Sequence, residues 1–230
     1  LLSAAIIFLL ITSGMIFSTA PAQAALVTNG LALHLDAGNS SSYSGSGTAW
    51  NDTSGSGNNG TLVNGPTYSS SNGGYIGFDG SNDYVSFGNI TNNFSSGFSA
   101  TFFANFGSAS QSWERIFDFG TGQSANNILA ARSGGTDNFV FELYNGSGAS
   151  YGQCASASLI SNNAWAHYAV TVDGTNCKIY KNGVLITTNS YTALPTNVTR
   201  TSNFIGRSNW SADGYFDSGI GEISMYTRAI

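Results

Sequence analysis

WAHYAVTVDGTNCKIYKNGVLITT, from Trp165 to Thr188, decides the fold. Two turn pairs, Asp173-Gly174 and Asn182-Gly183, divide it into three short runs. Asp-Gly and Asn-Gly tolerate the positive φ that primed hairpin turns demand. The runs between them are too short for helices and rich in β-branched and aromatic residues. In the first, Ala166, Tyr168, Val170 and Val172 alternate with Trp165, His167, Ala169 and Thr171, a period of two that buries one face. The stretch therefore reads as an antiparallel three-stranded meander. Its last strand, Val184-Leu185-Ile186-Thr187, is apolar on both faces near its start, so it is expected to be covered on both sides.

The same pattern extends outward in both directions. Short strands are predicted at 31–35, 61–63, 75–78, 84–87, 98–106, 115–119, 127–131, 139–144, 202–206 and 219–226, each bounded by glycine-containing turns. No segment keeps a helical period. One long polar loop, Asn39 to Gly60, is interrupted by Trp50, and loops of that length are often functional.

The first stretch stands apart. Leu1 to Ala24 has an apolar core followed by Ala22-Gln23-Ala24, the A-x-A pattern of a secretory cleavage site. It is read as a signal peptide entered part-way, since no initiator Met and no basic n-region precede it; an uncleaved anchor is the alternative. The expected organisation is 1–24 signal and 25–230 one β-sandwich domain, secreted to the exterior, the cell surface or the periplasm. After cleavage no membrane partner is expected.

Charged residues make up 8% of the 230 residues, about a third of the usual share. The net charge is −5, and the seven basic residues are scattered, so no patch exists for nucleic acid. Cys154 and Cys177 are the two cysteines. In an exported protein they read as one disulfide, with two buried thiols as the alternative.

Several segments together resemble one family. Trp165-Ala-His-Tyr-Ala-Val-Thr-Val-Asp-Gly174 followed by Lys178-Ile-Tyr-Lys-Asn-Gly-Val184 is similar to a signature of laminin G-like jelly rolls, in the concanavalin A-like lectin/glucanase superfamily. So are Phe78-Asp-Gly-Ser-Asn-Asp-Tyr-Val85, Phe204-Ile-Gly-Arg-Ser208 and the ending from Gly219 to Ile230. Leu33-His-Leu-Asp-Ala37, with Trp50 to Ser54 and Asn58 to Thr61, resembles the N-terminal strand pair of the bacterial LamG-like group. Gly221 departs from the pattern, which often has Asp there. The resemblance implies an all-β, two-sheet antiparallel β-sandwich of the jelly-roll type. It also implies a sugar-binding or adhesive role and, in some members, structural calcium. Asp79 and Asp83, flanking a five-residue loop, with Asp217 and Glu222 from the last strand, are the expected calcium oxygens; the competing reading is that Asp79 and Asp83 only shape the turn.

Catalytic motifs fail on context. Gly55 to Gly60 satisfies G-x-G-x-x-G but runs into a strand, not a helix. Gly148 to Gly152 satisfies G-x-S-x-G, yet no acid lies between Ser150 and His167. Among the three glutamates only Glu114 has a second acid at strand spacing, Asp118, on the same face and roughly 13 Å away. That exceeds both glycosidase separations. Trp113, Trp210 and Tyr215 fall in or beside polar loops, where an exposed ring suits the apolar face of a sugar and nearby Asn or Asp its hydroxyls; loop-anchoring packing is the competing reading. The expected function is a secreted, non-catalytic module that binds glycan. The alternative is a structural or adhesive domain of a larger bacterial surface protein with cell-surface or extracellular protein partners, and a glycoside hydrolase ranks below both.

Overall fold

The computed structural model describes residues 25–108 and 111–230; the expected signal, 1–24, lies outside the described residues. Sixteen strands are β1 (Leu31–Asp36), β2 (Ala49–Trp50), β3 (Gly60–Val63), β4 (Thr67–Ser69), β5 (Tyr75–Asp79), β6 (Tyr84–Phe87), β7 (Phe98–Phe106) and β8 (Arg115–Gly120), then β9 (Ile128–Arg132), β10 (Phe139–Tyr144), β11 (Ser150–Ser156), β12 (Trp165–Val172), β13 (Asn176–Lys181), β14 (Val184–Ser190), β15 (Ser202–Ile205) and β16 (Asp217–Tyr226). They form two antiparallel sheets. The first runs β14-β13-β12-β7-β16-β5-β4, with β1 against the second half of β16. The second runs β11-β10-β9-β8-β15-β6-β3-β2. This is the expected jelly-roll sandwich.

The core lies between the sheets, and β7 shows why. Alternation sends Phe98, Ala100, Phe102, Ala104 and Phe106 inward, large and small by turns, and all are fully buried. Phe98 stacks on Phe141 of the second sheet at 5.7 Å, and Phe102 on Tyr168 at 5.5 Å. Tyr168 in turn meets Phe139 at 6.3 Å. Such ring pairs add to area burial, about 0.5–1.5 kcal/mol each.

The meander is present as β12-β13-β14. Asn182 and Gly183 both have positive φ, 50° and 77°, as a two-residue turn requires. The other turn is longer than expected: Asp173 accepts the N–H groups of Thr175 and Asn176, and there Gly174 has the positive φ, 84°. The reading of β14 as covered on both sides is corrected. It is the end strand of its sheet, and Val184, Leu185 and Ile186 are exposed. The long polar loop is also corrected, because it is architectural. Trp50 is sunk into the core, and the Asp52 carboxylate accepts the N–H groups of His34, Ser54 and Asn58.

Cys154 on β11 and Cys177 on β13 are bonded, with Cα atoms 6.1 Å apart, and close the sandwich edge where the two sheets meet.

Candidate functional site

The outer face of the second sheet carries a site built from aromatic and polar side chains. Along β9 and β10, Leu129, Ala131 and Val140 point away from the core yet are buried, because Trp113, Tyr144 and Trp210 lie over them. These strands are thus covered on both faces, which their near-continuous apolar runs require.

Arg115 organises the roof. A bulge between Arg115 and Phe117 places Arg115 and Asp118, three apart, on the same outer face, with Nε 3.9 Å from Asp118 Oδ2. The guanidinium lies 5.7 Å from the Trp113 ring centre and 5.4 Å from that of Trp210. Nη2 donates to Asp213 Oδ2 at 2.8 Å, and Nη1 donates to the Trp113 carbonyl at 3.0 Å. The Ser208 hydroxyl also donates to Asp213, at 2.8 Å, and receives the Trp210 N–H at 3.0 Å. Trp113 itself sits at φ 60°, a costly conformation for a tryptophan. Its N–H donates to the Gly134 carbonyl, and Gly214 N–H to the Ser112 carbonyl. Asp118 ties the 207–216 loop to the sheet: it accepts Asn127 Nδ2 at 2.7 Å and the Asn209 N–H at 2.9 Å. Burial pushes its carboxyl up, and Arg115 pulls it back. With its oxygens engaged and its surface covered, Asp118 is a staple and not a reacting group.

Under this roof is a cavity of about 280 Å³ lined by Trp113, Arg115, Glu142, Tyr144, Gln153, Trp210 and Asp213. Tyr144 and Trp210 meet at 5.0 Å, and Glu142 accepts from the Ser150 hydroxyl. Burial, and then the Glu142 charge, raise the Tyr144 phenol, which keeps it a hydrogen-bond donor. On the far side of Trp210 lies a smaller cavity of about 100 Å³, lined by Arg207, Ser208, Ser211, Gly214 and Tyr215 as well as Trp210 and Asp213.

The three ring residues read from the sequence therefore gather around one loop. Trp113 and Trp210 share the larger cavity, and Tyr215 lines the smaller, leaning on Tyr84 at 6.4 Å. The two tryptophans are half-buried, so anchoring and cavity lining are combined in the same side chains. Arg115, Glu142, Tyr144, Gln153 and Asp213 were not anticipated. The i, i+2 spacing in Phe-Glu-Leu-Tyr puts Glu142 and Tyr144 on one face and was a readable signal. The expectation that Glu114 and Asp118 share a face is corrected by the bulge: Glu114 is buried against Arg132 and accepts the Asp217 N–H.

The four residues read for calcium do not make a common site. Asp79 Oδ1 accepts the N–H groups of Ser81 and Asn82, and Asp83 Oδ2 that of Asp79, so both shape the turn. Asp217 pairs with Asp79 across β16 and β5. Glu222 lies five residues further along β16, roughly 16 Å away at strand rise. Among the described residues no three His, Cys, Asp or Glu side chains are placed to hold a metal ion.

Glu222 faces a different cleft, about 290 Å³, lined by Asp36, Gly38, Asn72, Gly73, Gly74, Phe103 and Gly221. Asp36 and Glu222 are cross-strand partners, His34 Nδ1 is 3.7 Å from Glu222, and Asp36 Oδ1 accepts the Gly38 N–H. Burial pushes the Glu222 carboxyl up; His34 opposes this and Asp36 adds to it.

A laminin G family model described as the concanavalin A-like lectin/glucanases superfamily matches residues 79–230. The chain belongs to this superfamily. Among solved structures it is similar to domain 4 of an extracellular GH43 arabinanase from Geobacillus stearothermophilus, determined with arabinotriose. The TM-score is 0.62 at 17% identity, covering 87% of this chain and 93% of that domain. It is also similar to a botulinum neurotoxin DC binding domain determined with sialylT, with TM-score 0.66 at 16% identity, covering 89% of this chain and 49% of the other. Among curated proteins, an α-L-arabinofuranosidase from Bifidobacterium longum subsp. longum is 33% identical over 70 residues, which is 30% of this chain and 7% of that enzyme. The superfamily member described here is a lectin-like jelly roll that carries a cluster of rings and polar groups on the outer face of one sheet.

Proposed function

We propose that this domain is a secreted, non-catalytic carbohydrate-binding module that holds a sugar unit in the cavity under Arg115. The observation that carries the reading is the convergence of three aromatic rings, Trp113, Tyr144 and Trp210, with polar groups from Arg115, Glu142, Gln153 and Asp213. Rings take the apolar face of a sugar, and the polar groups take its hydroxyls. Glu142 and Asp213 outnumber Arg115, so the unit held here is neutral. The likeness to an arabinanase domain bound to arabinotriose makes arabinose-containing oligosaccharides the first class to try. Export is supported by the apolar stretch ending in Ala22-Gln23-Ala24 and by the disulfide.

Titration calorimetry against arabinotriose and a broad glycan panel tests this. Binding in the micromolar to millimolar range, roughly −8 to −4 kcal/mol, is expected. Trp210→Ala is expected to weaken it about tenfold or more; Gln153→Ala, at an exposed position on β11, weakens it without changing the melting temperature. A silent panel, or full affinity in both variants, overturns the reading and favours an adhesive domain that recognises protein.

Glycoside hydrolysis is a second reading, and one observation favours it. Cross-strand partners such as Asp36 and Glu222 have Cβ atoms about 5 Å apart, close to a retaining pair. Against it, the two rise side by side from neighbouring strands, and Asp36 is committed to its turn. Release of nitrophenol from an aryl arabinofuranoside, lost in Glu222→Gln, would establish it.

A further inference from the structure

Arg207 stands out among the basic residues. Its guanidinium lies over two rings, 4.9 Å from the Tyr84 centre and 4.5 Å from that of Phe204. Those rings meet edge to face at 5.7 Å and project from the outer face of β6 and β15. Gly206, at φ 78°, turns the chain out of β15 so that Arg207 leaves the sheet there; a Cβ at Gly206 would come within 3.0 Å of the Phe78 ring. Arg115, Arg132, Arg200 and Arg228 each donate to a carboxylate or carbonyl. Arg207 has no hydrogen bond or ion pair to any protein group among the described residues. It is a guanidinium immobilised on its faces with its N–H edge uncommitted, and it lines the 100 Å³ cavity beside Trp210. The acid in that cavity, Asp213, is already neutralised by Arg115 at 2.8 Å and accepts from Ser208 as well.

We propose that this cavity is a second subsite that takes the carboxylate of an acidic sugar, joined to the neutral unit that occupies the larger cavity across Trp210. The inference rests on the carbohydrate-binding reading above and adds its substrate class: glycans with a neutral residue next to an acidic one. A planar guanidinium matches a carboxylate through two parallel N–H···O bonds, and holding it in place beforehand lowers the ordering cost of binding. Position matters because the two cavities differ in their unpaired charge. Both are lined by Asp213, which is paired with Arg115; the larger adds the carboxylate of Glu142 and repels an acidic unit, whereas the smaller adds the guanidinium of Arg207. Ser211 lines the same pocket and supplies a hydroxyl for the rest of the ring.

The experiment measures wild type, Arg207→Gln, Arg207→Lys and Trp210→Ala against four classes of oligosaccharide. These are neutral arabino- and xylo-oligosaccharides, the same xylo-oligosaccharides bearing one glucuronate, galacturonate oligomers and sialylated oligosaccharides. Wild type is expected to bind the glucuronate-bearing xylo-oligosaccharide about tenfold tighter than its neutral parent, the scale of one charge-assisted pair. The gap should narrow as salt is raised. Arg207→Gln should lose the gap and keep the neutral affinity; Arg207→Lys, which keeps charge but not the planar fork, should recover part of it and serves as the test if the Gln variant does not fold. The galacturonate and sialylated arms show whether a run of acids or a different sugar acid satisfies the pocket; tightest binding to the galacturonate run overturns the neutral-plus-acidic pairing. Neutral binding without an acidic preference, or a preference untouched in Arg207→Gln, overturns this inference and leaves the carbohydrate site standing. Silence across all four classes overturns both.

Discussion

Arg115 is the side chain on which the site depends. It is buried, flanked by Trp113 and Trp210, and bonded to Asp213, and Asp118 lies behind it. Removing one member of a buried ion pair costs about 3–5 kcal/mol, because the partner charge is left without compensation. Arg115→Met is therefore expected to destabilise the domain by about that amount and to loosen the 207–216 loop. Replacing Asp118 by Asn in the same chain should recover a substantial part, since one stranded carboxylate is then gone. Denaturant unfolding of Arg115→Met, Asp118→Asn and the double variant decides it; a fully additive loss would show that Arg115 and Asp118 are not coupled. Nothing in Ser-Trp-Glu-Arg announces this role. The bulge that turns Arg115 outward depends on how β8 registers against β9, a tertiary outcome. Trp113 and Trp210 were legible because they fall in the polar runs SQSWER and SNWSADGYFD.

At the level of elements, burial pattern separates strands that carry the site from strands that only hold the sandwich together. β9 and β10 are buried on both faces, and their second cover is the site itself. β12 keeps a buried face of Ala166, Tyr168, Val170 and Val172, as its alternation requires. β14 is an exposed edge despite its apolar start, because no strand follows β14 in the sheet order. The disulfide joins β11 to β13 across the sandwich edge, enclosing a loop with a sequence separation of 23. Chain entropy assigns such a closure roughly 3 kcal/mol. In a domain of this size, loss of the bond by Cys154→Ser/Cys177→Ser should lower the melting temperature by about 6–12 °C. Scanning calorimetry checks it. The edge then held open is the one beside Gln153, so glycan affinity should fall as well.

At the scale of the whole molecule, the described residues form a two-sheet frame that displays a loop, 207–216, between two cavities, one adding Glu142 and the other Arg207 to the paired Arg115 and Asp213. Of the carboxylates read as calcium oxygens, Asp79 and Asp83 accept N–H groups of their own turn and Glu222 lies five residues along β16 from Asp217, so chelation is expected to leave both melting temperature and glycan affinity unchanged. A fall in melting temperature with EDTA that calcium reverses would overturn this. The sequence by itself determined the sandwich. Period-two alternation, positive-φ turn residues and the scarcity of charge are local properties, and each states its structural preference without help from distant residues. It also pointed to one disulfide, with two buried thiols as the alternative, and the structure bonds Cys154 to Cys177. Tertiary structure decided the site. Arg115, Glu142 and Asp213 meet only once β8, β10 and the loop before β16 are stacked, and Asp36 meets Glu222 only across strands nearly two hundred residues apart. Pairing register and a single bulge choose which side chains share a face. These depend on the summed fit of both sheets, and no window of sequence contains that sum.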